Sequence, residues 1–170
     1  MTVSEGPGMT SQQLSAEEAA ERNLAAVDAH FHNEIQRDID QAVDQYGDSI
    51  VWEAPARGVL LRGKAAVRQA YLDLFESFHF HSITPVRRFL AGNLVVDDSV
   101  AAITLIGDVE NNVPNCPFPA GTEVSLRVVH IFEFDKDGHI IRESAYELWR
   151  RAEAALADDV PADAPTIRFD

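Results

Sequence analysis

The feature that most constrains this chain is a change of hydrophobic period partway along it. Up to about residue 78 apolar residues recur every three or four positions; beyond about residue 81 they alternate with polar ones. The first pattern requires helices buried along one stripe, and the second requires strands buried on one face. Helices followed by a long run of strands make an α+β domain, with the helices covering one face of an antiparallel sheet.

Within the helical part, Ser15 and Glu18 form a capping-box signature. Ala20, Leu24, Val27, Phe31 and Ile35 then mark the apolar stripe of a first helix, with Glu21, Arg22 and Asp28 on its other side. Asp38–Tyr46 reads as a second, short helix with Ile39, Ala42, Val43 and Tyr46 on one face, stopped by Gly47. A strand at Ser49–Ala54 closes on Pro55, and a loop runs to Gly63. Lys64–Phe78 is the third helix, with Val67, Tyr71, Leu74, Phe75 and Phe78 inward.

Strands are expected at about His81–Leu90, Leu94–Val109, Glu123–Asp135 and His139–Trp149, with turns at Gly92–Asn93 and Lys136–Gly138. Glu110–Ala120 holds Pro114, Pro117 and Pro119 and reads as a connection. The 170 residues therefore divide into a loose tail (1–15), one domain (16–150) and an acidic tail (151–170) whose Ile167 and Phe169 can dock on the body.

The strand Glu123–Asp135 carries the first sign of a site. Val124, Leu126, Val128, Phe132 and Phe134 share one face, and His130 interrupts them. Histidine is the side chain that changes charge near neutral pH, so its place on an apolar face marks either a satisfied core residue or a pocket.

Bulk properties narrow the function. A net charge of −14 argues against nucleic acid and anionic membranes as partners. Cys116 is the only cysteine, which leaves no intrachain disulfide and no cysteine-based zinc site. His79 and His81 have chelating spacing but no recognisable third ligand, and His30 and His32 would splay apart on a helix, so no metal is expected. Neither a G-x-G-x-x-G nor a Walker pattern is present, so no nucleotide cofactor is expected either. The start of the chain lacks the charge and apolar run of a signal peptide, and no apolar stretch reaches about 20 residues; a cytoplasmic protein is expected.

The order of elements, the segment 38–40 (DID), and the segments 47–55 (GDSIVWEAP), 63–71 (GKAAVRQAY) and 132–140 (FEFDKDGHI) resemble the SnoaL-like/NTF2-like superfamily. That resemblance covers about residues 16–150. It implies a cone-shaped α+β barrel in which a curved, mainly antiparallel sheet wraps around three N-terminal helices and encloses a pocket. Projected onto this sequence, the catalytic tyrosine of steroid Δ-isomerases falls on His30, their general-base aspartate on Ala54 and their second oxyanion donor on His130. The acid–base aspartate of the related polyketide cyclases falls near Leu148. The resemblance also implies a homodimer formed through the outer face of the sheet, where Val129 and Ile131 lie between Arg127 and Glu133.

The candidate catalytic groups are therefore His30 and His130, a pair able to give and take a proton near neutral pH. His81 is a third candidate, since some dehydratases of the superfamily use a histidine on the strand after the third helix, and Asp108 is a reserve base. Glu53 alternates away from Trp52 and Ala54 and should face outward. Trp52, Tyr71, Phe75, Leu126, Val128 and Phe132 are expected to line the pocket and to fit an apolar small molecule. The expected function is a cofactor-independent cyclase, isomerase or dehydratase acting on an apolar oxygenated, polyketide- or terpenoid-like metabolite. One alternative is a noncatalytic ligand- or partner-binding domain. Another is an epoxide hydrolase, which needs an Asp–Arg–Asp set and hence Arg88 or Arg127 turned inward.

Overall fold

The computed structural model describes residues 14–157 and 159–169. The expected N-terminal tail lies almost wholly outside the described residues, as do positions 158 and 170. Among the described residues there are four α-helices: α1 (Ala16–Ile35), α2 (Ile39–Asp44), α3 (Lys64–Ser77) and α4 (Val109–Asn112). The seven strands are β1 (Tyr46–Ala54), β2 (Val59–Arg62), β3 (Phe78–Ala91), β4 (Leu94–Leu105), β5 (Glu123–Phe134), β6 (Ile140–Arg151) and β7 (Ile167–Arg168).

Local chemistry accounts for the helix starts. The Ser15 hydroxyl accepts from the Glu18 amide (3.2 Å) while the Glu18 carboxylate accepts from the Ser15 amide (2.8 Å), completing the capping box. Asp38 caps α2 by accepting from the Gln41 amide (3.2 Å).

The strands form one unclosed sheet in the order β2-β1-β6-β5-β4-β3-β7. Every neighbouring pair is antiparallel except β1 and β6. This is the α+β architecture that the period change predicts. It differs in particulars. Tyr46 opens β1 instead of closing α2, the expected loop 55–63 contains a 3-10 turn and strand β2, and the connection after β4 contains α4. No described helix is long and apolar enough to cross a membrane.

Three irregularities of the sheet decide which residues face inward. In β3 the pairing with β4 slips between Phe80 and Ser82 and again between Pro85 and Arg87. Each slip inserts a residue and restarts the alternation, so Phe78, Phe80, Ile83, Pro85 and Arg88 all point to the same side. In β6 the pairing with β5 slips at Glu133 and Phe134, where Ile141 is the extra residue and is left 36% exposed. Beyond it Glu143, Ala145 and Glu147 face inward, and Tyr146 and Leu148 face out.

The apolar core is split. One cluster joins α1, α2 and α3 to the sheet through Val27, Ile39, Val43, Ile50, Val67, Phe132 and Ile140. A second gathers Phe78, Ile103, Leu105, Val109, Val113, Val124 and Leu126 at the other end. Each large side chain so buried contributes about 2–3 kcal/mol. Between the clusters the helices and sheet do not meet, and a cavity of about 550 Å³ remains.

Candidate active site

The cavity has apolar walls: Phe31 from α1, Trp52 from β1, Leu74 and Phe75 from α3, Phe80 from β3, Leu126 and Val128 from β5. Its polar groups are few and concentrated. Glu34, Tyr71, His130 and Glu143 lie at one side, Arg88, Asp97 and Ser99 at another, and Glu147 at a third. Asp28, His32, Arg37, His79 and Ile167 are lining residues that are also exposed, and they mark its rim.

Behind the first group stands a buried network. His30, with no exposed surface, places Nδ1 3.2 Å from the Ala42 carbonyl, so the Nδ1 proton is donated there. Its Nε2 faces Glu34 Oε1 (3.1 Å), the Tyr71 hydroxyl (3.2 Å), the Tyr46 hydroxyl (3.3 Å) and Glu143 Oε2 (3.6 Å). Tyr46 donates a short hydrogen bond to Glu143 Oε2, and the two phenol oxygens are 2.5 Å apart.

The electrostatics follow from that geometry. Burial alone would strip the His30 proton, but the carboxylates of Glu34 and Glu143 outweigh it and raise its pKa from 6.5 to about 9. His30 is thus an imidazolium at neutral pH. Burial tends to neutralise Glu34, and the His30 charge beside it wins, holding its carboxyl below the usual range. Burial, then the Glu143 charge, raise Tyr46 and Tyr71 well above an ordinary phenol, so both remain hydroxyl donors.

Glu143 has almost no exposed surface, and its two oxygens differ. Oε2 is engaged by the tyrosines, whereas Oε1 has His130 Nε2 3.9 Å away, beyond hydrogen-bond reach. His130 is held by rings: stacked on Phe132 (centroids 5.8 Å apart, 24° between planes) and edge-on to Phe31 (5.3 Å). Among the described residues its Nδ1 is enclosed without a partner. The tautomer with the proton on Nε2 leaves only a lone pair enclosed there, whereas the other would bury an unpaired N–H. That tautomer also gives the cavity a donor beside a carboxylate.

The remaining polar groups are paired. Asp97 Oδ2 accepts from Arg88 Nε (2.8 Å) and Oδ1 from the Ser99 hydroxyl (2.7 Å). Glu147 binds Arg57 (2.8 Å) and the Trp149 indole N–H (2.8 Å), and Arg57 lies over the Trp52 ring. Among the described residues no three His, Cys, Asp or Glu side chains come together as a metal-binding set.

His130 is on the cavity wall, with Trp52, Tyr71, Phe75, Leu126 and Val128. Four expected positions are corrected. His30 lies behind the wall, reaching the cavity only through Tyr71, Glu34 and Glu143, because α1 turns it toward α2 and β1. Phe132 is the fully buried partition against which both histidines pack. His81 sits at the first slip of β3, is exposed, and bonds the Thr104 hydroxyl (2.7 Å). Asp108 is exposed ahead of α4, bonded to the Asn111 side-chain amide (2.9 Å). Glu53 faces outward to Arg142 and Ser144, as its alternation predicts.

Sequence reasoning missed Glu34, Tyr46 and Glu143. Glu34 was findable, lying one turn after His30 on the same helix face. Glu143 was not, since counting alternation forward from buried Ile140 puts it outside; only the slip at Ile141 turns it in.

Comparison with known proteins agrees with this architecture. A family model described as a SnoaL-like domain matches residues 15–143. No curated protein matches the chain. Among solved structures, an LEH-like epoxide hydrolase of M. tuberculosis is 19% identical, with TM-score 0.58, over 76% of this chain and 84% of its own. An NTF2-like protein of Burkholderia xenovorans is 14% identical, with TM-score 0.61, over 76% and 91%. A proposed polyketide cyclase of Xanthomonas campestris is 18% identical, with TM-score 0.61, over 75% and 91%. At these identities the likeness is one of fold.

Proposed function

Because this chain belongs to the SnoaL-like domain family, we propose that it is a cofactor-independent acid–base enzyme acting on an apolar oxygenated metabolite in its central cavity. The observation that carries this reading is the pairing of Glu143 Oε1 with His130 Nε2, 3.9 Å apart, at the polar end of an apolar cavity. A ligand whose acidic C–H or O–H meets Glu143 and whose oxygen meets His130 would lose a proton to the first while the second stabilises the developing negative charge. The hydrogen bonds from Tyr46 and Tyr71 fix the Glu143 carboxylate, and His30 offsets its charge from behind. His30, Tyr46 and Tyr71 act here as positioning residues. Isomerisation, ring closure and dehydration all use this proton transfer, and polyketide- and terpenoid-like compounds have the required greasy body and oxygen functions.

A second reading, epoxide opening, is favoured by one specific observation. The two slips in β3 turn Arg88 onto the cavity wall, 2.8 Å from Asp97, with Glu143 as a further carboxylate. Arg127 is on the opposite face, bound to Asp98 and Asp159. We further propose that the protein works in the cytoplasm and pairs as a homodimer through the exposed outer face of the sheet, where Tyr146 and Leu148 are about half exposed.

The experiment is a panel of apolar ketones, hydroxyketones and epoxides incubated in D2O. Mass spectrometry reads deuterium exchange, loss of water or gain of water. Turnover that disappears in both Glu143→Gln and His130→Ala supports the acid–base reading, and loss in Arg88→Met with exchange intact supports epoxide opening. Turnover that survives in all three variants sinks both. Binding without turnover leaves the noncatalytic alternative.

A further inference from the structure

The two-residue strand β7 forms part of the cavity wall and has the thinnest attachment of any strand in the sheet. It pairs with β3 only through Ser82–Arg168 and Ile83–Ile167. The Phe169 amide adds a hydrogen bond to the His81 carbonyl (2.9 Å), and the Thr166 and Thr84 hydroxyls meet at 2.9 Å. Ile167 and Phe169 both line the cavity, Phe169 against Phe80 with centroids 6.3 Å apart.

What lies upstream is of a different kind. Asp159 is buried, and its carboxylate is fixed by Arg150 (2.6 Å), Arg127 (3.3 Å) and the Leu156 amide (3.2 Å) on the outer side of the sheet. Between this anchor and β7 the chain from 160 to 166 has no helix or strand, and Pro161 and Pro165 cannot donate backbone hydrogen bonds. A firmly fixed point is followed by an irregular span and then by two apolar side chains set over the cavity rim. Of the other rim residues, Asp28 and His32 belong to α1 and His79 to β3, long elements with many backbone hydrogen bonds, and Arg37 lies in the turn after α1 with its guanidinium donating to the Phe75 carbonyl (3.4 Å). Local opening is cheapest where few backbone bonds and little buried area must be lost.

We propose that β7 is the detachable wall of the ligand cavity: ligands enter and leave beneath it, and Phe169 and Ile167 close against the bound molecule. The occupant is an apolar compound small enough to lie under Phe169. This inference rests on the cavity being a ligand site, but not on the chemistry performed there. A bound ligand gives Ile167, 42% exposed in this structure, apolar surface to cover, so occupancy and closure reinforce one another.

A disulfide staple in the full chain tests it. Ser82 and Arg168 are register partners, and facing residues of an antiparallel pair stand about 4.5–5.5 Å apart, within disulfide range. The double variant Ser82→Cys/Arg168→Cys is prepared oxidised and reduced, with Prodan, a neutral naphthyl ketone that fluoresces in apolar surroundings, as the probe. Stopped-flow fluorescence should show Prodan entering and leaving the oxidised form at least about tenfold more slowly than the reduced form, as expected when exchange needs local opening. Phe169→Ala should release Prodan faster than wild type, with an unchanged melting temperature. Equal rates in the oxidised and reduced forms, with Prodan still bound, overturn the detachable wall and leave the acid–base reading standing. Failure of Prodan to bind any form removes the cavity as a ligand site, and the wall with it.

Discussion

At the residue scale, one buried histidine, His30, is held charged by two carboxylates, Glu34 and Glu143. The folded value for His30, about 9, is above its ordinary 6.5. Its proton therefore stabilises the fold in full below pH 6.5, and that contribution is lost as pH rises through 9. The difference corresponds to about 3 kcal/mol. Glu34 has the opposite sign: its carboxyl is depressed below 4.5, so its contribution is present above that value and lost as pH falls. Chemical denaturation across pH should show stability falling between pH 6.5 and 9, and a His30→Gln variant should lack that fall. A variant with the same alkaline slope as wild type would mean that the proton is not there. Glu143→Gln keeps the shape of the side chain but removes the charge and the base; any identified turnover should drop by about a hundredfold or more. His30 and His130 were legible in sequence, one by its place beside an apolar stripe and the other by interrupting a strand face. What lies between them, Glu143 at 3.6 Å from one and 3.9 Å from the other, was not.

At the element scale, what could be read was whatever depends on neighbours in sequence. The capping box at Ser15 and Glu18 fixes the start of α1, and Ser15→Ala should cost about 1 kcal/mol in urea denaturation with no change in the cavity. The period-two runs located β3 to β6. Bulges depend on the partner strand, and a single chain segment does not display its partner. The slips at Phe80/Ser82, Pro85/Arg87 and Glu133/Phe134 therefore escaped, and with them the inward turn of Arg88 and Glu143. The same logic makes a prediction. Deleting Ile141 removes the extra residue and should leave Ile140, Arg142 and Glu143 alternating in, out and in, with Glu143 still on the cavity side. Such a protein should keep the raised His30 value, as read by histidine NMR, and any turnover; loss of both would mean that Ile141 does more than take up the slip. Strand β2 was hidden for a related reason, since four residues after a 3-10 turn show too short a pattern to read.

At the scale of the whole molecule, the split core explains why a cavity exists at all: two apolar clusters stabilise the ends, and the space between them is left to a ligand. The proposed dimer belongs to this scale. A charge of −14 on each subunit opposes association at low ionic strength, while the exposed apolar residues on the outer sheet face favour it. Light scattering at micromolar concentration should give a dimer mass at physiological salt and a larger monomer fraction as salt is withdrawn. A monomer mass at both would exclude the pairing. The fold class was legible from hydropathy patterning. The cavity's contents were not, because they depend on three-dimensional closure between α1, β1, β5 and β6.

Carboxylates at the cavity's polar end hold His30 as an imidazolium behind Glu143 and His130. The most direct measurement is an NMR titration of the histidine ring nitrogens in the full-length protein. His30 should keep both ring protons through neutral pH and release one near pH 9, and Glu143→Gln should lower this value. A His30 ring that titrates at or below 6.5 in the wild-type protein would contradict it.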